Sequence, residues 1–181
     1  IGLQIPSFKY PGGTVAIRPK LKEIVTTAEE SGFYSLWVMD HFYQIKGLFG
    51  EAYTDPMLES YTTLGYFAGL TEKAYLGALV TGVIYRYPSV LMKMVNTLDI
   101  LSGGRAYLGI GAAWYEEEAK GFGIPYPSTA ERFELLEDNL QLAQALWKRD
   151  EISFEGKRFS APAMTNNPRP ISNPHPRIMI G

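Results

Sequence analysis

The chain has 181 residues, with 17 Lys and Arg against 19 Asp and Glu, two His and no Cys. Its 46% apolar and 20% charged composition is that of a globular chain long enough for one hydrophobic core, which excludes general disorder. A formal charge of −2 without a Lys/Arg-rich run gives no footing for nucleic acid or an anionic membrane surface; the lack of Cys excludes disulfides, thiolate nucleophiles and Cys-based zinc sites, and no apolar stretch nears the ~18 residues of a membrane span.

Strand-like runs alternate with helix-like ones along the chain. The first strand reads as Ile1 to Ile5, ended by Pro6. A helix follows with Leu21, Ile24, Val25 and Ala28 on one face, closed by Ser31-Gly32. Ser35 to Met39 is the second strand, stopping at Asp40-His41. After a loop rich in Gly and aromatics, Asp55-Pro56 has the form of a helix cap and first helical residue, with Met57, Tyr61, Leu64 and Ala68 at helical spacing. Tyr75 to Thr81 is the third strand. Pro88 opens another helix, with Leu91, Met94, Val95, Leu98 and Leu101 expected inside, and Gly103-Gly104 ends it. Ala106 to Ile110 is the fourth strand.

Glu116-Glu117-Glu118 then reads as a solvated helix start favoured by the dipole. Ser128 to Glu131 fits a capping box, and Phe133, Leu136, Leu140, Ala143 and Trp147 form an apolar stripe behind it. Ile152 to Phe159 suggests a surface hairpin around Gly156-Lys157. A Pro- and Asn-rich connector, Asn166 to Pro176, leads to a fifth strand, Arg177 to Ile180. Strand starts lie about 30 to 40 residues apart, the spacing of βαβ units. The fold class is α/β, in one domain covering residues 1–181. Two architectures satisfy the pattern: an open doubly wound sheet, which length favours, or part of a (β/α)8 barrel.

Candidate chemistry gathers at strand ends. Asp40-His41 follows the second strand, where α/β folds place reactive groups; an imidazole titrates near neutrality and an adjacent carboxylate can orient it. A loop pair or helix cap is the structural alternative. His175, between two prolines, is the only other histidine, and no carboxylates can be placed to complete a metal site with the two. Gly109-Ile110-Gly111-Ala112-Ala113-Trp114 resembles a dinucleotide fingerprint but has Trp114 where the last glycine belongs; its glycines still let a ligand approach the backbone. Thr81-Gly82-Val83 reads either as a glycine bulge or as a peptide on which a planar ring could rest. The twelve Tyr, nine Phe and three Trp could line an aromatic ligand's pocket or simply fill the core.

Taken together, Ser31 to Phe42, Leu79 to Val83, Leu98 to Arg105, Leu108 to Trp114, Phe154 to Lys157 and Pro176 to Gly181 resemble the luciferase-like monooxygenase superfamily, in its coenzyme F420-dependent oxidoreductase branch. The order and spacing agree over essentially the whole chain. The resemblance implies a TIM barrel of which about four and a half βα units are present, so that the native gene product should be longer and these residues its N-terminal part. It implies a deazaflavin, coenzyme F420, across the C-terminal strand ends, with FMN as the alternative, and hydride transfer to or from an organic small molecule. An FMN-dependent monooxygenase and a non-catalytic flavin-binding member are the alternative functions.

The same resemblance implies His41 and Asp40 as the catalytic pair. Asp40, His41, Thr81, Gly82, Val83, Gly111, Ala112, Ala113, Trp114 and Gly181 are implied to be cofactor-binding, with no metal. Gly82-Val83 would be the family's bulge, often a non-proline cis peptide, and a glycine-rich phosphate loop should begin at Gly181. Trp114 stands where sugar-phosphate dehydrogenases of the family carry a glutamate acid, a departure from their pattern. A cytoplasmic homodimer is expected.

Overall fold

The computed structural model describes all 181 residues, Ile1–Gly181. Its strands and helices are, in chain order, β1 (Gly2–Ile5), α1 (Thr14–Glu30), β2 (Ser35–Val38), α2 (Ser60–Ala68), β3 (Tyr75–Ala78), β4 (Thr81–Gly82), α3 (Pro88–Leu101), β5 (Tyr107–Gly111), α4 (Glu116–Gly121), α5 (Thr129–Leu146), β6 (Glu151–Glu155), β7 (Ser160–Thr165) and β8 (Arg177–Ile180).

The parallel strands neighbour one another in chain order. β1 pairs with β2 and β2 with β3; β4 pairs with β5 and β5 with β8. A bridge between Leu76 and Ala106 joins the two groups, so β3 and β4 are successive parts of one line beside β5. A doubly wound sheet reverses its strand order at a switch point. Here there is no reversal, which removes the open-sheet alternative despite its fit to length. β6 and β7 form the expected hairpin, and the Asp138 carboxylate holds its turn by accepting from the backbone N–H groups of Lys157, Arg158 and Phe159.

Register explains where the core lies. Leu3, Leu36 and Leu76 occupy one row and Ile5, Val38 and Ala78 another, and side chains two apart in a strand share a face. That face meets the helices through Leu21, Val25, Leu64, Phe67, Leu91 and Val95, in one continuous apolar cluster. Fully burying each Leu or Ile contributes about 1.5–3 kcal/mol. The opposite face carries Trp37 and Tyr107, and a Cβ on Gly77 would lie 2.5 Å from the Trp37 ring. Glycine at 77 thus lets the indole lie flat across the strand.

Several local expectations are corrected. α2 starts at Ser60 with Glu59 as its cap, not at Asp55-Pro56, because the Asp55 carboxylate accepts from the N–H groups of Glu51 and Ala52 behind it. Tyr75 to Thr81 is not one strand: it breaks after Ala78, and the cis peptide lies at Leu79-Val80 rather than Gly82-Val83. Gly82 is instead registered opposite Gly111, with Val83 N–H donating to Gly111 O at 3.1 Å. Leu101 is exposed, since α3 turns its Leu91, Val95, Leu98 side inward. On α5 the buried line is Arg132, Leu136, Asn139, Ala143 and Leu146, which leaves Phe133 exposed.

Candidate functional site

Residues 39–41, 81–83, 111–114 and 181 all follow or end parallel strands, so the parallel register brings them to one end of the sheet. A cavity of about 490 Å³ opens there. It is lined by Asp40, His41, Thr81, Gly82, Gly111, Ala112, Ala113, Trp114 and Gly181 among others. Val83 is separate: it is buried in the core and borders a different depression beside Pro88 and Pro125. Its side chain faces the core because Gly82 and Val83, as strand neighbours, point to opposite sides.

The floor of the cavity includes three glycines, Gly82, Gly111 and Gly181, packed against their neighbours where a side chain would begin. A Cβ on Gly111 would lie 2.7 Å from Gly181 O and 2.9 Å from Val80 Cγ2, and one on Gly82 would lie 2.7 Å from the Tyr85 ring. No other residue fits those positions without moving its neighbours. Ala113 adopts a left-handed φ of 63°, uncommon for a residue with a Cβ, where the chain leaves β5 for α4. Trp114 then stacks on Tyr115 with centroids 5.0 Å apart and meets the His41 ring edge-on at 5.5 Å. Trp114 and Phe133 are more than half exposed and flank the opening.

Asp40 and His41 are adjacent in sequence but belong to different networks. The Asp40 carboxylate accepts from Arg86 Nη1 at 2.7 Å and Nη2 at 2.9 Å, from Ser60 Oγ at 2.6 Å and from Gly82 N–H at 3.2 Å. Arg86 also bonds Glu59 and lies over the Tyr61 ring at 4.9 Å. Burial alone would lower the Arg86 pKa, but Asp40 and Glu59 outweigh it and hold it above its ordinary value. This group ties β2, α2 and β4 together.

The carboxylate that orients His41 is Glu118, not Asp40. His41 Nδ1 lies 3.0 Å from Glu118 Oε1; Phe42 N–H and Tyr43 N–H each donate to Oε2 at 2.6 Å, and Tyr85 O–H donates to Oε1 at 2.5 Å. Glu118 is completely buried, which overturns its reading as part of a solvated acidic turn. Desolvation pushes its pKa up, but the bonds from His41, Tyr85 and Tyr43 win and leave it below the ordinary glutamate value. An ionised carboxylate can only accept, so Nδ1 carries a hydrogen, and in the ring's neutral form the lone pair lies on Nε2. Nε2 has no protein partner.

Sequence reasoning also missed Tyr85, Arg132 and Phe133 on the cavity wall. Arg132 had a usable signal, four residues before Leu136 on the buried face. Its donors are taken by Ala112 O at 3.1 Å, Pro127 O at 2.6 Å and Thr129 Oγ1, so it braces the strand end that carries Trp114.

Residues 8–181 match the family described as luciferase-like monooxygenase. The chain belongs to the luciferase-like monooxygenase family. Among these proteins it is similar to the F420-dependent glucose-6-phosphate dehydrogenase of Kineococcus radiotolerans, with 33% identity over 152 residues, 83% of this chain and 43% of that one. It is also similar to the FMNH(2)-dependent dimethylsulfone monooxygenase of Pseudomonas putida, with 28% identity over 161 residues, 88% of this chain and 42% of that one. The crystal structure of monooxygenase RslO1 from Streptomyces bottropensis shares the fold, with a TM-score of 0.80 at 23% identity over 99% of this chain and 52% of that one. The chain thus spans about half the length of the relatives it matches. None of its helices is long and apolar enough to cross a membrane.

Proposed function

We propose that this chain is the N-terminal half of a (β/α)8-barrel oxidoreductase that transfers a hydride between coenzyme F420 and an organic small molecule. Two kinds of support converge. Five parallel strand lines run in chain order without reversal, which is how barrel strands run. Family relatives of comparable coverage are F420-dependent.

The fit of a flat ring system rests on the glycine floor. Gly82, Gly111 and Gly181 present backbone to the cavity, the places where their Cβ atoms would stand being filled by the Tyr85 ring, the Gly181 carbonyl and Val80, and Trp114 stands at its side. Thr81, Gly82, Gly111, Ala112, Ala113, Trp114 and Gly181 would hold the deazaflavin, with Val83 supporting the floor from the core. When bound, that group supplies the hydride donor or acceptor. Asp40, through Arg86 and Gly82 N–H, fixes the floor. His41, held at Nδ1 by Glu118, takes at Nε2 the proton released when substrate loses a hydride, or returns it in the reverse direction. The protein works as a cytoplasmic homodimer in this reading.

The observation that carries the proposal is His41, with Nε2 unpartnered, on the wall of a cavity whose floor is glycine backbone. Titration of the full chain with oxidised F420 and with FMN tests it; binding of FMN without affinity for the deazaflavin would transfer the reading to an FMN-dependent monooxygenase, which the Pseudomonas relative favours. His41→Ala should lower turnover by about 10²–10⁴-fold. Unchanged turnover would leave a flavin-binding protein in which His41 does no chemistry.

A further inference from the structure

Glu118 Oε1 is shared. His41 reaches it through Nδ1 at 3.0 Å and Tyr85 through its hydroxyl at 2.5 Å, so two donors from different strand ends compete for one oxygen. The arrangement is rigid on the tyrosine side. The Tyr85 ring meets Phe42 at a centroid distance of 5.0 Å, lies over Gly82 where a Cβ would stand, and reaches a carboxylate with no exposed surface.

We propose that Tyr85 is a positioning residue for His41, acting through the shared Glu118 oxygen to weaken the carboxylate's hold on the Nδ1 proton. A hydroxyl donating to a carboxylate draws charge from the oxygen it contacts. The remaining negative charge is what favours the doubly protonated, cationic imidazole. With Tyr85 in place, Glu118 fixes the ring's orientation while leaving Nε2 freer to lose its proton. The Tyr85 phenol stays protonated across the working range, because burial and the neighbouring Glu118 both raise its pKa.

The groups around His41 leave few rivals for this role. Glu118 comes from α4, Tyr85 from the segment after β4, and Trp114 and Tyr115 from the segment after β5. Tyr115 meets the ring edge-on at 5.8 Å and has no hydrogen bond to it. Tyr43, on the imidazole's own loop, contributes its N–H to the other Glu118 oxygen. Asp40 has both oxygens on Arg86.

The inference rests on His41 as the proton-handling group, yet its test does not depend on that. Imidazole resonances of the full chain are followed against pH in the parent, Tyr85→Phe and Glu118→Gln, with His175 as an internal reference. Tyr85→Phe removes one oxygen and keeps the ring, so folding is preserved. The His41 midpoint should move to higher pH in Tyr85→Phe and to lower pH in Glu118→Gln, with His175 fixed in both. A His41 midpoint that stays or falls in Tyr85→Phe overturns the coupling. If the midpoint rises, the pH profile of kcat should shift by the same amount in the same direction. A midpoint that rises under an unmoved kcat profile confirms the coupling and refutes His41 as the proton-handling group instead.

Discussion

Asp40 and Glu118 are both buried carboxylates at one end of the sheet, and they do opposite work. Asp40 is closed on every side: a guanidinium, a hydroxyl and a backbone N–H satisfy it, and its strongest partner cannot lose its charge at any ordinary pH. Glu118 is closed except through His41, a partner that can change its proton and whose far nitrogen is unpartnered. A carboxylate locked to arginine builds a wall. A carboxylate holding histidine and tyrosine builds a wall with one adjustable part. Proximity in sequence points to the wrong one, because adjacent residues at a strand end face opposite ways.

Removing Asp40 should therefore cost mainly stability. Asp40→Ala leaves the buried Arg86 with Glu59 as its one ion-pair partner beside the Ser60 hydroxyl, and breaking a buried pair on one side costs about 3–5 kcal/mol. Urea denaturation should show that loss as a lower midpoint with an unchanged slope. A loss below about 1 kcal/mol would mean the Arg86 cluster is not what holds β2, α2 and β4 in place. Glu118→Ala should cost less, about 2 kcal/mol, from the stranded N–H groups of Phe42 and Tyr43, since both residues are only part-buried. Its activity should fall with that of His41→Ala. A Glu118→Ala variant more damaged in stability than Asp40→Ala would reverse the comparison.

The elements were legible because their punctuation is local. Pro88 opens α3, Ser128 and Glu131 cap α5, and Gly32, Gly103 and Gly104 adopt the positive φ that ends a helix. The strand-end positions of His41, Gly82, Gly111 and Trp114 followed from the alternation alone. Glu118 did not, because three consecutive glutamates are equivalent in composition and only contacts with residues 41–43, some 75 positions away, single out the third. Phe133 misled in another way. Of the apolar stripe 133, 136, 140, 143, 147 only Phe133 is exposed; the buried face begins at Arg132 instead, whose signal is its position and not its hydrophobicity. Asp55-Pro56 looked like a helix start because capping chemistry is the same whether the carboxylate serves the residues after it or those before it.

The smallest effect is also the most selective. The Glu118 pKa is lowered in the folded chain, so the unfolded state binds its proton more readily. Its stabilising contribution is complete above the unfolded value of about 4.3 and is lost as pH falls through the lower folded value. Glu59 and Glu29 are lowered too, and they acidify in the parent and in any Glu118 variant alike. The gap in Tm between the parent and Glu118→Gln reports that carboxylate together with the imidazole it holds: it should persist from neutrality into mild acid and narrow below about pH 4.5. A gap that stays constant into acid would show that the charge on Glu118 contributes nothing to stability. His41 would then be held by shape, and the contrast with Asp40 would reduce to one of solvent access.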